Sequence, residues 1–203
     1  MNNADLTLDL WFLRHGQTEW NNQGRIQGQS ESDLDEVGRA QAKALGARLA
    51  GTRFDAIYSS DLKRTTQTAE LVFPHDALLL EPRLREIAGG VLEGKTAAEM
   101  SAEERLLIER LDGRHMRVRP QGGESYLDVQ VRLESWLADL PPSGRYACVT
   151  HEAVVYTLLA MFLGFAQQVE VGPQVELRNT SITQVRFTAG KPTIVRVNDS
   201  SHL

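Results

Sequence analysis

Cysteine is almost absent from this chain. Cys148 is the only cysteine in 203 residues, so no disulfide can form within the chain. It lies in the apolar segment YACVT, and we interpret it as a small residue buried in a strand. A reducing, cytoplasmic setting fits a chain that does not rely on disulfides.

An excess of positive charge is also lacking. The 22 lysine and arginine residues are outnumbered by 27 aspartate and glutamate residues, which gives a net charge of -5. We expect no nucleic-acid partner, because there is no basic stripe to release counterions from a polyanion. A small phosphorylated ligand stays compatible with this charge, since a few positive groups focused in a cleft can outweigh a dispersed negative surface.

Long apolar runs are missing as well. The longest uncharged apolar stretch, Ala153 to Ala166, is shorter than the roughly 18 residues that a membrane span needs. We therefore predict a core helix there and no membrane partner. The first residues include Asp5 and Asp9 and no basic segment, which is typical of a first strand and not of a signal peptide.

Strand and helix signals alternate along the rest of the chain. The predicted elements are helices over 36–50, 62–73, 95–111 and 124–140, strands over 55–59 and 78–80, a strand leading into His151, a Gly-rich loop over 84–94 and a hairpin over 181–197. This alternation predicts an α/β fold, a three-layer αβα sandwich with a mainly parallel sheet and antiparallel strands from the C-terminal hairpin. The length favours a single domain over 1–203, with a lid insert at 87–123 above the strand ends.

Residues that suit an anion follow three of the strand signals. Arg14 and His15 end the first apolar run, Arg64 lies in the first turn after the segment FDAIYSS, and His151 follows YACVT. In open α/β sheets, ligands bind where the carboxyl ends of several strands meet. We therefore expect these two histidines and two arginines to form one anion pocket.

The same residue types suit phosphoryl transfer, which depends mainly on positioning and electrostatic stabilisation. The planar forks of Arg14 and Arg64 would clamp the phosphate oxygens. An imidazole is largely neutral near pH 7 yet nucleophilic, so His15 or His151 is the candidate nucleophile. Glu86, which opens the Gly-rich loop, is the candidate general acid, because a desolvated site raises the pKa of a carboxyl group.

Five segments carry a resemblance to a known family. In chain order they are LRHGQTEWN, SSDLKRTTQTA, LREIAGGVLEG, GGESYLDVQVR and VTHEAV, and they span nearly the whole chain. Together they resemble the histidine phosphatase superfamily, also called phosphoglycerate mutase-like, and lie nearest to its phosphatase branch. The resemblance implies a phosphohistidine mechanism that uses no metal and no cofactor, with a small phosphorylated metabolite as the partner.

The resemblance also implies a role for each of several residues. His15 would be the nucleophile and Glu86 the proton donor. The remaining residues would form the phosphate and substrate pocket. Arg14, Arg64 and His151 would bind the phosphate and take part in catalysis. Asn21 would add a hydrogen-bond donor, and Gln27 would line the substrate pocket.

Glu152 departs from the family pattern, in which many members have glycine after the second histidine. A carboxylate about 5 Å from a phosphate costs on the order of 3 kcal/mol per unit charge at an effective dielectric near 20. We therefore expect the Glu152 side chain to point away from the phosphate and its backbone N–H, at a helix start, to bind it. The segment HEAV also resembles the HQAV of the fructose-2,6-bisphosphatase branch, so glycine is not obligatory.

Three functions fit these observations. The leading hypothesis is a phosphomonoesterase, a hydrolase acting on small metabolites. The second is a cofactor-dependent phosphoglycerate mutase, which is disfavoured because the segment between Glu86 and GGES is short for a site closed to water. The third is a non-catalytic phosphate-binding protein, for which Glu152 is the only argument.

Other charged residues are less informative. The cluster Arg114, His115, Arg117 and Arg119 is either a grip for a second anionic group or a solvated face. No histidines or acids stand at a zinc-ligand spacing, so we predict no metal site. The alcohol portion of the substrate and the oligomeric state stay open, and the sequence is compatible with a homodimer.

Overall fold

A central six-stranded sheet organises the computed structural model, which describes residues 7–164 and 172–203. The strands are β1 (Thr7–Arg14), β2 (Ala56–Ser59), β3 (Leu78–Leu80), β4 (Gly144–Thr150), β5 (Ile182–Thr188) and β6 (Lys191–Asp199). Their order across the sheet is β3-β2-β4-β1-β5-β6. The first four strands pair in parallel, and β5 and β6 extend the sheet in antiparallel fashion.

Helices cover both faces of the sheet. They are α1 (Glu19–Gln23), α2 (Glu36–Leu49), α3 (Lys63–Val72), α4 (Ala102–Asp112), α5 (Tyr126–Asp139) and α6 (Glu152–Phe162). On one face, Leu45 of α2 and Val72 of α3 belong to the same buried cluster as Leu13 of β1. On the other face, Trp136 of α5 and Val154 of α6 are buried with the next side chain of β1, Phe12. The predicted three-layer α/β sandwich is confirmed.

The central strands are buried on both faces because helices cover both. In β4, every residue from Tyr146 to Thr150 is buried. Cys148 is fully buried there, as predicted, and burial raises the pKa of its thiol far above the ordinary value. This cysteine is therefore an unreactive core residue at neutral pH.

One predicted element needs correction, and one element was not predicted. The single helix predicted over 95–111 is wrong, because Ala97–Glu99 forms only a 3₁₀ turn and α4 begins afterwards. Glu99 Oε2 accepts the N–H of Thr96 at 2.8 Å, and Ser101 Oγ accepts the N–H of Glu104 at 3.2 Å, so two successive capping boxes start two separate elements. The short helix α1 was not predicted, and its Thr18 cap lies in a segment that we treated as loop.

The other elements agree with their predictions to within one or two residues, apart from the core helix predicted to continue to residue 166. Helix α6 ends at Phe162, and residues 165 and 166 lie outside the described ranges. No helix in the described part of the chain is long and apolar enough to span a bilayer.

Candidate active site

The carboxyl ends of β1, β2 and β4 lie side by side at one edge of the sheet. Arg14 and Thr150 end their strands as register partners. The next residue after β1, His15, donates its backbone N–H to the Thr150 carbonyl at 3.0 Å, and Ser60 donates likewise to Val149 at 3.0 Å. The first residue after each of these strands therefore remains hydrogen-bonded to the sheet, which holds the following residues in fixed positions.

These strand ends border a cavity of about 200 Å³. Seven of the eight residues that the sequence nominates line it, namely Arg14, His15, Asn21, Gln27, Arg64, Glu86 and Glu152. The eighth, His151, is fully buried beside His15, with 5.3 Å between the two ring centroids. The structure therefore brings all eight residues to one place.

The geometry of His15 fits that of a nucleophile. Its Nδ1 lies 2.7 Å from the carbonyl oxygen of Gly16, which can only accept, so Nδ1 carries the proton of the neutral ring. The lone pair is then on Nε2. Burial, followed by the charges of Arg64 and Arg14, holds the pKa of His15 well below 6.5. The ring is therefore neutral near pH 7.

Gly16 explains why glycine follows this histidine. A Cβ atom at Gly16 would lie 2.6 Å from the backbone oxygen of Gly38, in the first turn of α2. The backbone N–H of Gly16 donates to Thr68 Oγ1 of α3 at 3.0 Å. The absence of a side chain thus lets the loop after β1 fit between two helices and fixes the carbonyl that orients His15.

His151 lies between the end of β4 and the start of α6, where it is the N-cap residue. Its Nε2 is 2.9 Å from Ser60 Oγ, the hydroxyl that follows β2. Its Nδ1 has no hydrogen-bond partner within the described residues, although it is buried. Burial and then the charge of Arg64 hold the pKa of His151 well below 6.5. This ring is therefore neutral as well.

Arg64 is fully buried in the first turn of α3. Its Nη2 donates to the Gly28 carbonyl at 2.7 Å and its Nη1 to the Ser30 carbonyl at 3.0 Å. No carboxylate lies within ion-pair distance of it among the residues described. Burial lowers the pKa of Arg64 to about 10, so it keeps its charge at pH 7 and presents an unneutralised cation to the cavity.

Arg14 has different partners. Its Nη1 donates to the Leu177 carbonyl and lies 3.1 Å from Glu152 Oε2. Its guanidinium therefore shares its charge with a carboxylate, whereas that of Arg64 contacts neutral carbonyls only. Nothing in the sequence indicated that the segment around Leu177 contributes to the site.

Glu86 lies on the cavity wall with its carboxyl group held by backbone donors. Oε1 accepts the N–H of Ile87 at 2.9 Å and that of Ala153, in the first turn of α6, at 3.1 Å. Burial raises the pKa of Glu86 above its ordinary value, and the neighbouring Glu152 adds to this, while the charge of Arg64 opposes it. The group is thereby shifted toward the protonated form that a general acid needs.

The two amide side chains also take their expected places. Asn21 Oδ1 accepts the N–H of Thr18 at 3.1 Å, so its Nδ2 is the group left to donate into the cavity. Gln27 is buried, and its Oε1 accepts from Ser32 Oγ at 2.6 Å. Both side chains line the cavity from the segment that follows β1.

Glu152, whose side chain we expected to point away from a bound phosphate, is one of the residues that line the cavity. Its Oε2 lies 3.1 Å from Arg14 Nη1 and its Oε1 2.7 Å from Arg114 Nη2. Two guanidinium groups hold it there, and their attraction offsets the repulsion on which the expectation was based. Its backbone N–H is at the start of α6, as expected.

The basic cluster at 114–119 is divided between two locations. Arg114 is buried and lines the cavity. Arg117 and Arg119 are exposed and border a separate hollow with His115, and Arg119 pairs with Asp128 at 2.5 Å. The cluster therefore does not act as one anion grip at this cavity.

Sequence reasoning missed much of the wall opposite the strand ends. That wall includes Arg25, Ile108, Leu111, Asp112 and Tyr126. Tyr126 starts α5, and the others come from α4 and the segment after α1, so they meet only through tertiary packing. Ile108 and Leu111 lie three apart on α4, a spacing that shows one face of a helix but not what the face contacts.

Within residues 7–164 and 172–203, no group of three histidine, cysteine or acidic side chains is arranged to hold a metal ion. The cavity instead presents guanidinium, imidazole and backbone N–H groups, and among its carboxyl groups that of Glu86 is shifted toward protonation. This arrangement suits a tetrahedral oxyanion.

Comparisons with known proteins agree with this chemistry. Residues 10–200 match the family described as histidine phosphatase superfamily (branch 1). A probable phosphoglycerate mutase GpmB from Escherichia fergusonii is 35% identical over 97% of this chain and 95% of its own length. Among solved structures, Bacillus stearothermophilus YhfR has a TM-score of 0.84 and 31% identity, covering 96% of this chain and 98% of that one.

A solved phosphatase is also similar. Phosphoserine phosphatase from Entamoeba histolytica, in complex with 3-phosphoglyceric acid, has a TM-score of 0.81 and 29% identity. The match covers 97% of this chain and 99% of that one. Proteins with mutase names and proteins with phosphatase names are thus both similar to this chain over almost its full length.

Proposed function

The chain belongs to the histidine phosphatase superfamily, and we propose that it is a metal-independent phosphomonoesterase that hydrolyses small phosphorylated metabolites through a phosphohistidine at His15. The carrying observation is the 2.7 Å contact between His15 Nδ1 and the Gly16 carbonyl. That contact fixes the tautomer whose Nε2 is nucleophilic, in a ring that lines the cavity together with Arg14 and Arg64.

In the first step, His15 Nε2 attacks phosphorus and the bond from phosphorus to the ester oxygen breaks. Glu86, protonated beforehand, gives its proton to the departing alkoxide, so the alcohol leaves neutral. In the second step, Glu86 takes a proton from water as the water oxygen attacks phosphorus, and the bond to Nε2 breaks. Inorganic phosphate is released, and His15 and Glu86 regain their starting states.

Charge on the transferring group is stabilised by the surrounding donors. Arg14 and Arg64 clamp the nonbridging oxygens, and Asn21 Nδ2 adds a hydrogen bond. His151 completes the pocket. Ser60 Oγ accepts the N–H of Leu62 and is free to donate to His151 Nε2, so in this proposal Nδ1 of His151 carries the proton and donates to an oxygen of phosphate. The pocket is built before substrate arrives, which is the property that makes such donors effective.

The segment 87–123 acts in this proposal as a lid insert of a single domain over 1–203. Its residues Ile108, Leu111 and Arg114 line the cavity together with the residues at the strand ends. The insert therefore contacts the alcohol portion of the ester, and the strand ends contact the phosphoryl group. Substrate choice then depends on the insert.

A phosphoglycerate mutase is the second candidate, because the relative from Escherichia fergusonii is named as one. It shares the first step but returns the phosphoryl group to a bound alcohol. To separate the two, purified protein is given 3-phosphoglycerate, with and without 2,3-bisphosphoglycerate, and a panel of other phosphate esters, and products are followed by ³¹P NMR. We expect inorganic phosphate to be released from at least one ester. Formation of 2-phosphoglycerate without phosphate release would establish the mutase instead.

A further inference from the structure

In the proposed function the cavity has a phosphate end, formed by Arg14, His15, Arg64 and His151, and an alcohol end, formed by the insert over 87–123. Glu152 contacts residues of both. Glu152 is among the residues that line the cavity, its side chain is 33% exposed, and both of its carboxylate oxygens contact guanidinium groups. One of these groups, Arg14, belongs to the phosphate end. The other, Arg114, belongs to the insert.

Both terminal nitrogens of the Arg114 guanidinium already have partners within the protein, and only its buried Nε lacks one among the described residues. Its Nη2 donates to Glu152 at 2.7 Å, its Nη1 donates to the hydroxyl of Tyr126 at 2.5 Å, and its guanidinium lies over the ring of Tyr156, 4.6 Å from the centroid. Burial alone would lower the pKa of Arg114, but Tyr126 and Glu152 raise it above its ordinary value. The group is therefore a permanently charged cation whose counterion is already part of the protein.

The other arginine on this side of the cavity is similarly neutralised. Arg25 Nη1 lies 2.7 Å from Glu99 and 2.6 Å from the carbonyl oxygen of Gly94. Asp112 adds a further carboxyl group to the same wall. At the alcohol end, both arginines are thus already paired, and the carboxylate oxygens can accept hydrogen bonds. This environment is unfavourable for a second phosphate or carboxylate group and favourable for hydroxyl or ammonium groups.

We propose that Glu152 is a specificity residue that selects phosphate esters whose alcohol portion carries hydroxyl or ammonium groups and no second anionic group. The inference rests on the proposed phosphatase function and names its substrate class. A second anion in the alcohol would face the Glu152 carboxylate and would find Arg114 already paired. A hydroxyl group there would donate to the same carboxylate.

The test uses two esters that differ at one carbon. sn-Glycerol 3-phosphate ends in a hydroxymethyl group where 3-phosphoglycerate has a carboxylate. We expect the wild-type protein to favour sn-glycerol 3-phosphate in kcat/KM by about 10-fold or more, because like charges held close together are strongly disfavoured. In Glu152→Gln this preference should fall by about 10-fold, since the amide removes the repulsion and releases Arg114.

The preference ratio is the informative quantity, because any effect of Glu152→Gln on the phosphate clamp through Arg14 acts on both esters and cancels. Glu109→Gln is the matched control, since Glu109 is exposed on α4 and should leave the ratio unchanged. A wild-type preference for 3-phosphoglycerate, or a ratio unchanged in Glu152→Gln, would overturn the inference.

Failure of the proposed function is distinguishable from failure of this inference. If no ester is hydrolysed at all, the phosphatase assignment is wrong. Isothermal titration calorimetry on the wild-type protein then gives the dissociation constants of the two esters, and these still decide the selectivity. Tighter binding of sn-glycerol 3-phosphate supports the role of Glu152, and tighter binding of 3-phosphoglycerate rejects it.

Discussion

The proposed phosphate end of the cavity, at the strand ends, and its proposed alcohol end, at the insert over 87–123, are constructed differently. At the phosphate end, His15, Arg64 and His151 are almost fully buried, and each has at least one polar atom fixed by the backbone or by Ser60. At the alcohol end, α4 contributes apolar side chains, and Arg114 pairs with Glu152. The first end is positioned by the sheet and the second by packing of an insert.

This difference indicates that the two ends have separate functions in the proposed reaction. A phosphoryl group has the same geometry in every ester, so the donors that hold it can be rigid. The alcohol varies, and the insert can change without disturbing the strand ends. Substitutions at the phosphate end should therefore impair the reaction of every ester, whereas those at the alcohol end should discriminate among esters.

Replacing the proposed nucleophile should have the largest effect. We expect His15→Ala to lower kcat by at least about 10⁴-fold with every ester, because no covalent intermediate can form. His75→Ala is the control, since His75 is exposed and lies outside the cavity lining. Steady-state phosphate release on p-nitrophenyl phosphate and on an alkyl ester gives the answer, and a variant that retains a tenth of the activity would rule out His15 as the nucleophile.

Glu86→Gln should have the next largest effect, and one that depends on the leaving group. For an alkyl phosphate, whose alkoxide needs a proton, kcat should drop by about 10²- to 10⁴-fold. For p-nitrophenyl phosphate the loss in the first step should be smaller, since nitrophenolate leaves without protonation. Glu70→Gln, on the exposed side of α3, should be without effect. Equal losses with both esters would argue against the role of general acid.

The pH profile sharpens the same assignment. His15 must be neutral, and its lowered pKa means that activity should persist as the pH falls through 6.5. Glu86 must be protonated, and its raised pKa means that activity should decline as the pH rises through a value above the ordinary 4.5. In Glu86→Gln the alkaline decline should vanish. An acid-side loss centred at 6.5 would contradict the buried, neutral state of His15.

Arg64→Lys should reduce kcat/KM by about 10- to 10³-fold on all esters, because lysine keeps the charge but loses the planar fork. The melting temperature of the variant should be measured alongside its activity, because the buried carbonyls of Gly28 and Ser30 lose their hydrogen-bond donor and stability can fall as well. Arg53→Lys, at an exposed position, is the matched control. A loss confined to one ester would contradict the assignment of Arg64 to the phosphate end.

The smallest effect is expected at the alcohol end. Ile108→Ala should raise KM by about 3- to 10-fold for esters with large apolar alcohols and leave kcat nearly unchanged, because uniform binding is lost. Leu106→Ala, at an exposed position on the same helix, is the control. A uniform loss of kcat across all esters would mean that the two ends are not separable.

The phosphate end could be predicted from the sequence because its residues directly follow strands. Arg14, His15 and His151 each come at the carboxyl end of an apolar run, and the carboxyl ends of parallel strands meet at one edge. The alcohol end could not be predicted in this way. The orientation of Glu152 depends on Arg114, which is distant in sequence, and the expectation considered only the repulsion between Glu152 and a phosphate.

The start of α4 shows a similar limit. In the sequence, Thr96 and Glu99 and then Ser101 and Glu104 stand at capping-box spacing, which is compatible with two helix starts within the single helix predicted over 95–111. Each box marks a separate beginning, since the side chains of Thr96 and Ser101 can cap only the turn that follows them.

The phosphoenzyme tests the central claim most directly. The protein is mixed rapidly with a ³²P-labelled ester that it hydrolyses, quenched in alkali, and digested for mapping of the label. The account predicts a label that is stable in alkali, labile in acid, located on the peptide containing His15 and absent from His15→Ala. A label that survives acid, or one that persists in His15→Ala, would contradict it.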